Sequence, residues 1–430
     1  MTDAETNSAD NAAKDIAAVI TDADIERAKR QIDIPQKTFC PTFHPIAFHS
    51  AMSNFAFGRV GDDNPLWHDP NYAATTRWRD LIAHPLFITV MGVNETTSYS
   101  DEQKKLFRGL FRGVGKYHSG QRLEFYRPIY QGTKLFREYT TTAVETRNSK
   151  FSGGRSVIET FRSLYVDNSG TPYAVCYDDM VSAERGGTAK TGQYKSISRQ
   201  TYTDEDIAEI DRMYEAEELR GATARYWEDV AVGDALVPVA KGPLSMVDMI
   251  SSHVATGMAL MWHHGPLRYA YQTRKRMPAF YTKDKYGVPQ AQQRVHWDQE
   301  RANDLGLPAP FDYGALRTAW LSHLVTNWMG DDAWLWKLNI EIRKFNFMGD
   351  THVCGGEVVA VRREGVHLVA EIEVRATNQR GEVTTTGLAT VILPSREHGP
   401  IQLPEPPQEL SSRGAQMMHA AAERLRERGS

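Results

Sequence analysis

Gly61-Asp62-Asp63-Asn64-Pro65-Leu66-Trp67-His68-Asp69-Pro70-Asn71-Tyr72-Ala73 is the stretch on which the reading of this chain turns. Glycine, aspartate, asparagine and proline this dense stop a helix and build a structured loop. Asp69-Pro70 then restarts one, with Asp69 as N-cap and Pro70 at the first helical position. The segment before it, Pro45 to Gly58, carries Ala47, Phe48, Ala51, Met52 and Phe55 at helical spacing with little polar face, so a buried helix is expected there. A second helix is expected over Ala73 to Leu86. Asp62 and His68 therefore share a rigid loop between two helices, an arrangement suited to holding a water molecule.

Outward from that loop the texture changes after Gly120. Arg122 to Tyr130, Lys134 to Arg147, Arg155 to Val166 and Pro172 to Ser182 are rich in Tyr, Thr, Val, Ile and Phe, with Gly153-Gly154 and Asn168-Ser169-Gly170 between the later runs. They read as antiparallel strands joined by hairpins. Residues 183 to 225 are polar, with a helix from Thr203 to Arg220. The order of events then repeats. Ser245 opens a helix with Asp248 as capping-box acid and an apolar stripe of Val247, Ile250, Val254 and Met258. Strands follow at Leu338 to Phe347, His352 to Arg362, Val366 to Ala376 and Val383 to Leu393. Leu368, Ala370, Ile372 and Val374 alternate strictly, so one face of that strand is buried. Arg127-Pro128-Ile129-Tyr130-Gln131-Gly132-Thr133 is echoed by Arg343 through Gly349-Asp350-Thr351. The chain reads as an internal duplication, α+β in class.

The expected organisation is a flexible N-terminal tail (1–35) whose one helix, Ile25 to Ile32, starts at Thr21-Asp22-Ala23-Asp24. A first unit (36–190), a linker with a helix (191–225) and a second unit (226–395) with an insertion at 259–290 follow. A peripheral tail (396–430) has a charged helix from about Ala415. Over 430 residues, 41% hydrophobic and 24% charged content match a soluble globular protein. A net charge of -4 gives no electrostatic reason to expect nucleic acid. Cys40, Cys176 and Cys354 are isolated, without C-x-x-C, which argues against a disulfide framework or a zinc site. No run of 18 apolar residues occurs, so no transmembrane helix is expected. Met1 to Lys14 is too polar for a signal peptide. A cytoplasmic protein is expected.

The residues resemble a known family. Gly61-Asp62-Asp63-Asn64-Pro65-Leu66 with Asp69-Pro70-Asn71-Tyr72-Ala73 is similar to the loop of MaoC-like acyl dehydratases and (R)-specific enoyl-CoA hydratases, Gly-Asp-x-Asn-Pro-x-His-x-Asp-Pro-x-(aromatic)-Ala. Tyr226-Trp227-Glu228-Asp229-Val230 through Gly233-Asp234 resembles the family's leading strand. His296-x-Asp298 with Ala302, then Gly306-Leu307-Pro308, resembles the later part of its loop. Over residues 40 to 395 the resemblance implies two hot-dog units, each a long central helix wrapped by a curved antiparallel sheet, forming an intrachain pseudo-dimer. It implies an acyl-CoA or acyl carrier protein thioester as ligand and Asp/His general acid-base hydration or dehydration of a 2-enoyl or 3-hydroxyacyl thioester. No cofactor is implied beyond the coenzyme A of the substrate. A homodimer of double hot-dogs is a further expectation.

Departures from the pattern divide the candidates. Trp67 occupies the histidine seat of the first loop, with His68 one residue late. In the second, His296 and Asp298 match, but five positions before His296 stands Ala291. The catalytic candidates are thus His296, Asp298, Asp62 and Asn64. Asp284 or Asp298 would partner His296, or Asp62 would partner His68 or, across the pseudo-twofold, His296. Asp312-Tyr313-Gly314 stands where the family starts a helix near the thioester, which makes Gly314 a candidate oxyanion donor and Tyr313 a hydrogen-bond donor. Arg127, Arg343 and Lys344 are candidates for coenzyme A phosphates. His263 and His264 are adjacent and lack i, i+4 spacing with another ligand, so no metal is expected. Six of the nine tryptophans lie between 262 and 336, as core packing or as the wall of an aromatic acyl tunnel. Because both loops are incomplete, a non-catalytic acyl-CoA-binding subunit that pairs with an active hot-dog partner stays open, as does a hot-dog thioesterase.

Overall fold

Leu368, Ala370, Ile372 and Val374 are all at most 5% exposed, and the strand they alternate along is the inner part of a single large sheet. The computed structural model describes residues 18–37, 44–94, 96, 98–148, 154–184, 194, 197–257 and 268–429. The first unit contributes β1 (Val93–Asn94), β2 (Gly115–Phe125), β3 (Phe136–Asn148), β4 (Arg155–Val166) and β5 (Pro172–Ala183). The second begins with β6 (Val239–Lys241), carries a small separate hairpin of β7 (Tyr281–Lys283) and β8 (Pro289–Ala291), and adds β9 (Trp334–Ile342), β10 (His352–Glu364), β11 (His367–Asn378) and β12 (Val383–Ile392). The ten-stranded order is β1-β3-β4-β5-β2-β9-β12-β11-β10-β6. Antiparallel pairing of β2 with β9, from Gly120 opposite Glu341 to Glu124 opposite Lys337, fuses the two halves into one sheet.

The duplication is visible in matching backbone contacts. Gly132 N–H donates to Ala47 C=O at 2.8 Å, and Gly349 N–H donates to Leu244 C=O at 2.7 Å. Both glycines hold a positive φ, 85° and 93°, which a side chain would strain. Ala83 N–H donates to Ile129 C=O at 2.8 Å, just as Asp312 N–H donates to Asn346 C=O at 3.0 Å.

From that shared station the units diverge. The second continues as the helix Gly314–Met329, in which every residue from Leu316 to Met329 is buried. It is buried on every side, polar residues included, and burial of Leu321, Leu324 and Val325 contributes roughly 1.5–3 kcal/mol each. The first unit continues only as a 3-10 turn, Pro85–Val90. The helix expected over Ala73 to Leu86 is therefore replaced by a short helix, Pro70–Thr75, and that turn.

Two other expectations change. On the helix Met246–Ala255 the stripe Val247, Ile250, Val254 faces outward at 67%, 55% and 49% exposure. The buried face is Met249, Ser252, His253 and Ala255. The reason is close packing: a Cβ on Gly58 would stand 3.1 Å from Ala255 Cβ and 3.3 Å from Ser251 C=O, so only small residues fit between the helix and the π-type turn Ala56–Val60. The C-terminal helix, Gln408–Gly429, is docked rather than peripheral. Leu410 and Met417 pack on Tyr126, Leu164, Val166 and Val175, and Arg413 pairs with Glu138 at 2.8 Å. The N-terminal helix, Asp22–Lys29, is capped by Thr21, and Ile20 and Ile25 pack on Val114 and Val157. Met258, Trp262, His263, His264 and Cys40 lie outside the described residues.

Candidate active site

The first loop folds as its residue types require. Asp69 accepts from Asn71 N–H and Tyr72 N–H as N-cap, and Asn64 accepts from Leu66 N–H at the start of the 3-10 turn Pro65–Trp67. Asp62 accepts from Asn64 N–H at 3.0 Å and from Thr326 Oγ1 of the long helix at 2.7 Å. Asn64 Nδ2 donates to Asp331 at 2.8 Å, and Tyr72 OH donates to the other Asp331 oxygen at 2.6 Å. Asp62 and Asn64 thus tie the first loop to the second unit.

This knot is sealed. Asp62 and His84 are 0% exposed, and Trp67 is 2% exposed. His84 Nε2 is 3.9 Å from Asp62 Oδ2, too far for a hydrogen bond, while its Nδ1 accepts from Leu86 N–H. Burial raises the Asp62 carboxyl and pushes the His84 imidazole down to about 3. Lys241 Nζ lies 2.8 Å from His323 Nδ1 and 3.2 Å from Val60 C=O. The 3-10 turn beyond His84 starts on Pro85, which has no N–H to offer a substrate oxygen. His68 is turned away, with Nε2 against Asp63 C=O at 3.1 Å and its ring on Phe57.

In the second unit the same station is open. The 3-10 turn Gln292–His296 leads to Asp298, the N-cap of the helix Gln299–Asp304. Trp67 and His296 each close their turn, two residues before the capping aspartate. His84 and Tyr313 each occupy an N-cap position, His84 that of the turn Pro85–Val90 and Tyr313 that of the long helix. His296 Nδ1 lies 2.8 Å from Phe311 C=O, so this nitrogen carries the hydrogen and Nε2 keeps the lone pair. The ring packs on Tyr313, tilted by 31° at a centroid distance of 4.0 Å. Desolvation lowers its pKa to about 4, so the imidazole is neutral near pH 7.

His296, Tyr313 and Gly314 line one cavity of about 1110 Å³. Its walls come from the 107–118 segment, the insertion (Lys275 to Pro278, Phe280) and the start of the long helix. Asp298 is engaged elsewhere: Oδ1 accepts from Arg301 N–H at 3.1 Å and Oδ2 stands 3.6 Å from Arg294 Nε. Asp284 accepts from Tyr286 N–H and Val288 N–H in the β7–β8 turn. Among the described residues no carboxylate reaches hydrogen-bond distance of His296.

A second imidazole enters the cavity from the first unit. His118 on β2 has Nε2 3.2 Å from Asp178 Oδ1 on β5. A Cβ on Gly314 would stand 3.1 Å from His118 Nδ1, so the missing side chain lets the helix start approach this ring. Burial pushes the Asp178 carboxyl up, but His118, Gln121 and Arg137 outweigh it and hold it below the usual carboxylate range. Ser119-Gly120 lies within a strand. A glycine there marks a bulge, and the β2–β5 register does shift between His118 and Gly120.

Arg127 is held at the C-terminal tail, by Pro404 C=O at 3.0 Å and Glu405 at 2.8 Å. Arg343 pairs with Glu341 and, with Lys344, lines a neighbouring pocket of about 300 Å³ that shares Tyr117 and His118 with the main cavity. Arg108, Arg112, Lys116, Lys275, Arg276 and Arg317 also line the main cavity, against the single carboxylate Asp312, which is bidentate to Arg317.

Residues 49–174 match the family described as FAS1-like, dehydratase domain region. A solved MaoC-like dehydratase has 16% identity and a TM-score of 0.55, covering 85% of this chain and 99% of its own. The chain has a double hot-dog fold. A MaoC domain protein dehydratase from Chloroflexus aurantiacus J-10-fl has 12% identity, a TM-score of 0.49 and coverage of 84% and 95%. The (R)-hydratase from A. caviae involved in PHA biosynthesis has 18% identity and a TM-score of 0.28, covering 39% of this chain and 99% of its own. No curated protein matches the chain. Within this double hot-dog, the long central helix and the open cavity both belong to the second unit, whereas the family match falls on the first.

Proposed function

We propose that this protein is a hydro-lyase for acyl thioesters, interconverting a 2-enoyl and a 3-hydroxyacyl thioester in the cavity of the second unit. The observation that carries this reading is the convergence on one cavity of a neutral imidazole, His296, a helix start at Gly314 and His118, which is backed by Asp178. In hydration, the Gly314 N–H at the helix N-terminus faces the thioester oxygen, where negative charge develops. His296 Nε2 takes a proton from water as the oxygen bonds to C3. His118, oriented by Asp178, delivers a proton to C2, and proton exchange with solvent returns both rings to their starting states, so one water is added in total. The cations along the cavity suit the phosphates of coenzyme A.

The test is to incubate the full chain with a short 2-enoyl-CoA and follow loss of the enoyl group with formation of the 3-hydroxyacyl product by mass. A product heavier by one water supports the reading; release of free thiol instead would mark a thioesterase. Ala291 and Trp67 favour a second reading, a binding subunit without turnover, because each loop lacks one member of the family's Asp/His pair. Acyl-CoA binding without conversion of any enoyl-CoA, while a co-purifying hot-dog partner converts it, is the outcome that supports this alternative.

A further inference from the structure

Behind Tyr313 lies a second, smaller pocket of about 210 Å³. It shares Tyr313 with the main cavity, and Asp178 stands in its wall while the Asp178 partner, His118, faces the main cavity. The space exists because the first unit has the short turn Pro85–Val90 where the second has a long helix. Ala315 and Ala319, one turn apart on that long helix, keep the facing wall thin.

Two guanidinium groups point the pocket at an anion. Arg59 donates to Ser252 Oγ, and among the described residues no carboxylate lies within ion-pair distance of it. The acid that acts on it, Asp312, is committed to Arg317 at 2.6 and 2.9 Å. Arg137 donates to Ser163 Oγ at 3.0 and 2.7 Å and lies against Tyr139 and Tyr165, likewise without a carboxylate at ion-pair distance among the described residues. Asp178 is the single acid in the lining, and it is already shared with His118 and Gln121. One positive charge is left uncompensated in a desolvated space, a costly arrangement unless a ligand supplies the counter-charge. Desolvation pulls the Arg59 guanidinium down to about 10, consistent with that cost. A planar guanidinium is built to take a carboxylate through two parallel bonds, and the volume suits a carboxylate on a few methylenes.

We propose that this pocket receives a carboxylate at the far end of the acyl group, so that the preferred ligand is the monothioester of a short dicarboxylic acid and Arg59 is its specificity-determining residue. This rests on the reading that the main cavity binds an acyl thioester, with the acyl chain passing Tyr313.

The test uses unreactive saturated thioesters and titration calorimetry on the full chain: glutaryl-CoA against pentanoyl-CoA, and succinyl-CoA against butyryl-CoA. The expected result is at least tenfold tighter binding of the carboxylated member of a pair, with the ratio collapsing to near one in Arg59→Met. Ala315→Leu, which fills the pocket without touching the guanidinium, should collapse it too and serves if Arg59→Met does not fold. Equal binding within both pairs by the wild-type chain overturns the inference alone. Binding of none of the four overturns it together with the thioester reading. A preference that is clear while no enoyl-CoA is ever hydrated leaves the inference standing and removes the hydro-lyase reading.

Discussion

Two copies of one loop, in the same fold and the same chain, have been put to different uses. In the first unit the station holds Asp62, Trp67 and His84, sealed from solvent and bound to Thr326 and Asp331 of the other unit. In the second it holds a buried Ala291, with His296 and Tyr313 on the wall of a large cavity. The difference starts at the next residue. Pro85 begins a short turn and removes the N–H at the helix start, whereas Gly314 keeps its N–H and leaves room for His118. The loop nearer the signature pattern is the one whose aspartate ties the halves together.

That contrast breaks most visibly if Asp62 is removed. Asp62→Ala strands Asn64 N–H and leaves Thr326 Oγ1 only the His323 C=O in a dry core, and a loss of about 2–4 kcal/mol in urea unfolding is expected. Turnover per folded molecule should stay near wild type. A stable Asp62→Ala chain with abolished turnover would reverse the roles assigned to the two loops.

Next in size is the pair brought across the unit boundary. Asp178→Asn keeps the shape but removes the charge facing His118, and a fall in kcat of about tenfold or more with little change in KM is expected. His118→Asn should match it. If both variants keep wild-type kcat, the first unit contributes wall and no chemistry.

The pH profile sharpens the comparison without a mutation. With the His296 pKa lowered to about 4, the base is ready above that value and is lost as pH falls through it. The acid limb of kcat/KM should therefore fall near pH 4 rather than near the ordinary histidine value of 6.5.

The smallest effect belongs to His84, lowered from 6.5 to about 3. Between those values the unfolded chain binds a proton that the folded chain does not. The stability His84 contributes is complete above pH 6.5 and is lost as pH falls toward 3. His84→Asn preserves an acceptor for Leu86 N–H and should flatten the stability slope in that window by at most about 1.4 kcal/mol per pH unit. An unchanged slope would show that His84 is charged in the fold.

Much of the fold was legible because strands write their burial into alternate residues. Arg155 to Val166 has the bounds of β4, and Leu368 to Val374 lines the core. Thr203, Ser245 and Asp69 cap helices as their side chains predict. Three things were hidden. The outward stripe of Val247, Ile250 and Val254 reads as buried until Gly58 shows that the close face must be small. The bounds of the long helix are blurred because it is buried on every side and has no polar period to read. His118 and Asp178 are 60 residues apart and meet only through the β2–β5 register, where His118 lies opposite Met180 and Asp178 opposite Gln121. Of the residues the sequence singles out for the site, His296, Tyr313 and Gly314 reach the cavity, while Asp298, Arg127, Asp62 and Asn64 are engaged elsewhere.

The most direct test of the claim that the second unit holds the working site is the single-turnover rate of His296→Ala on an enoyl-CoA, at a pH where its melting temperature matches the wild type. The account predicts a fall of about two orders of magnitude or more. A rate close to wild type would contradict it and take His296 out of the chemistry.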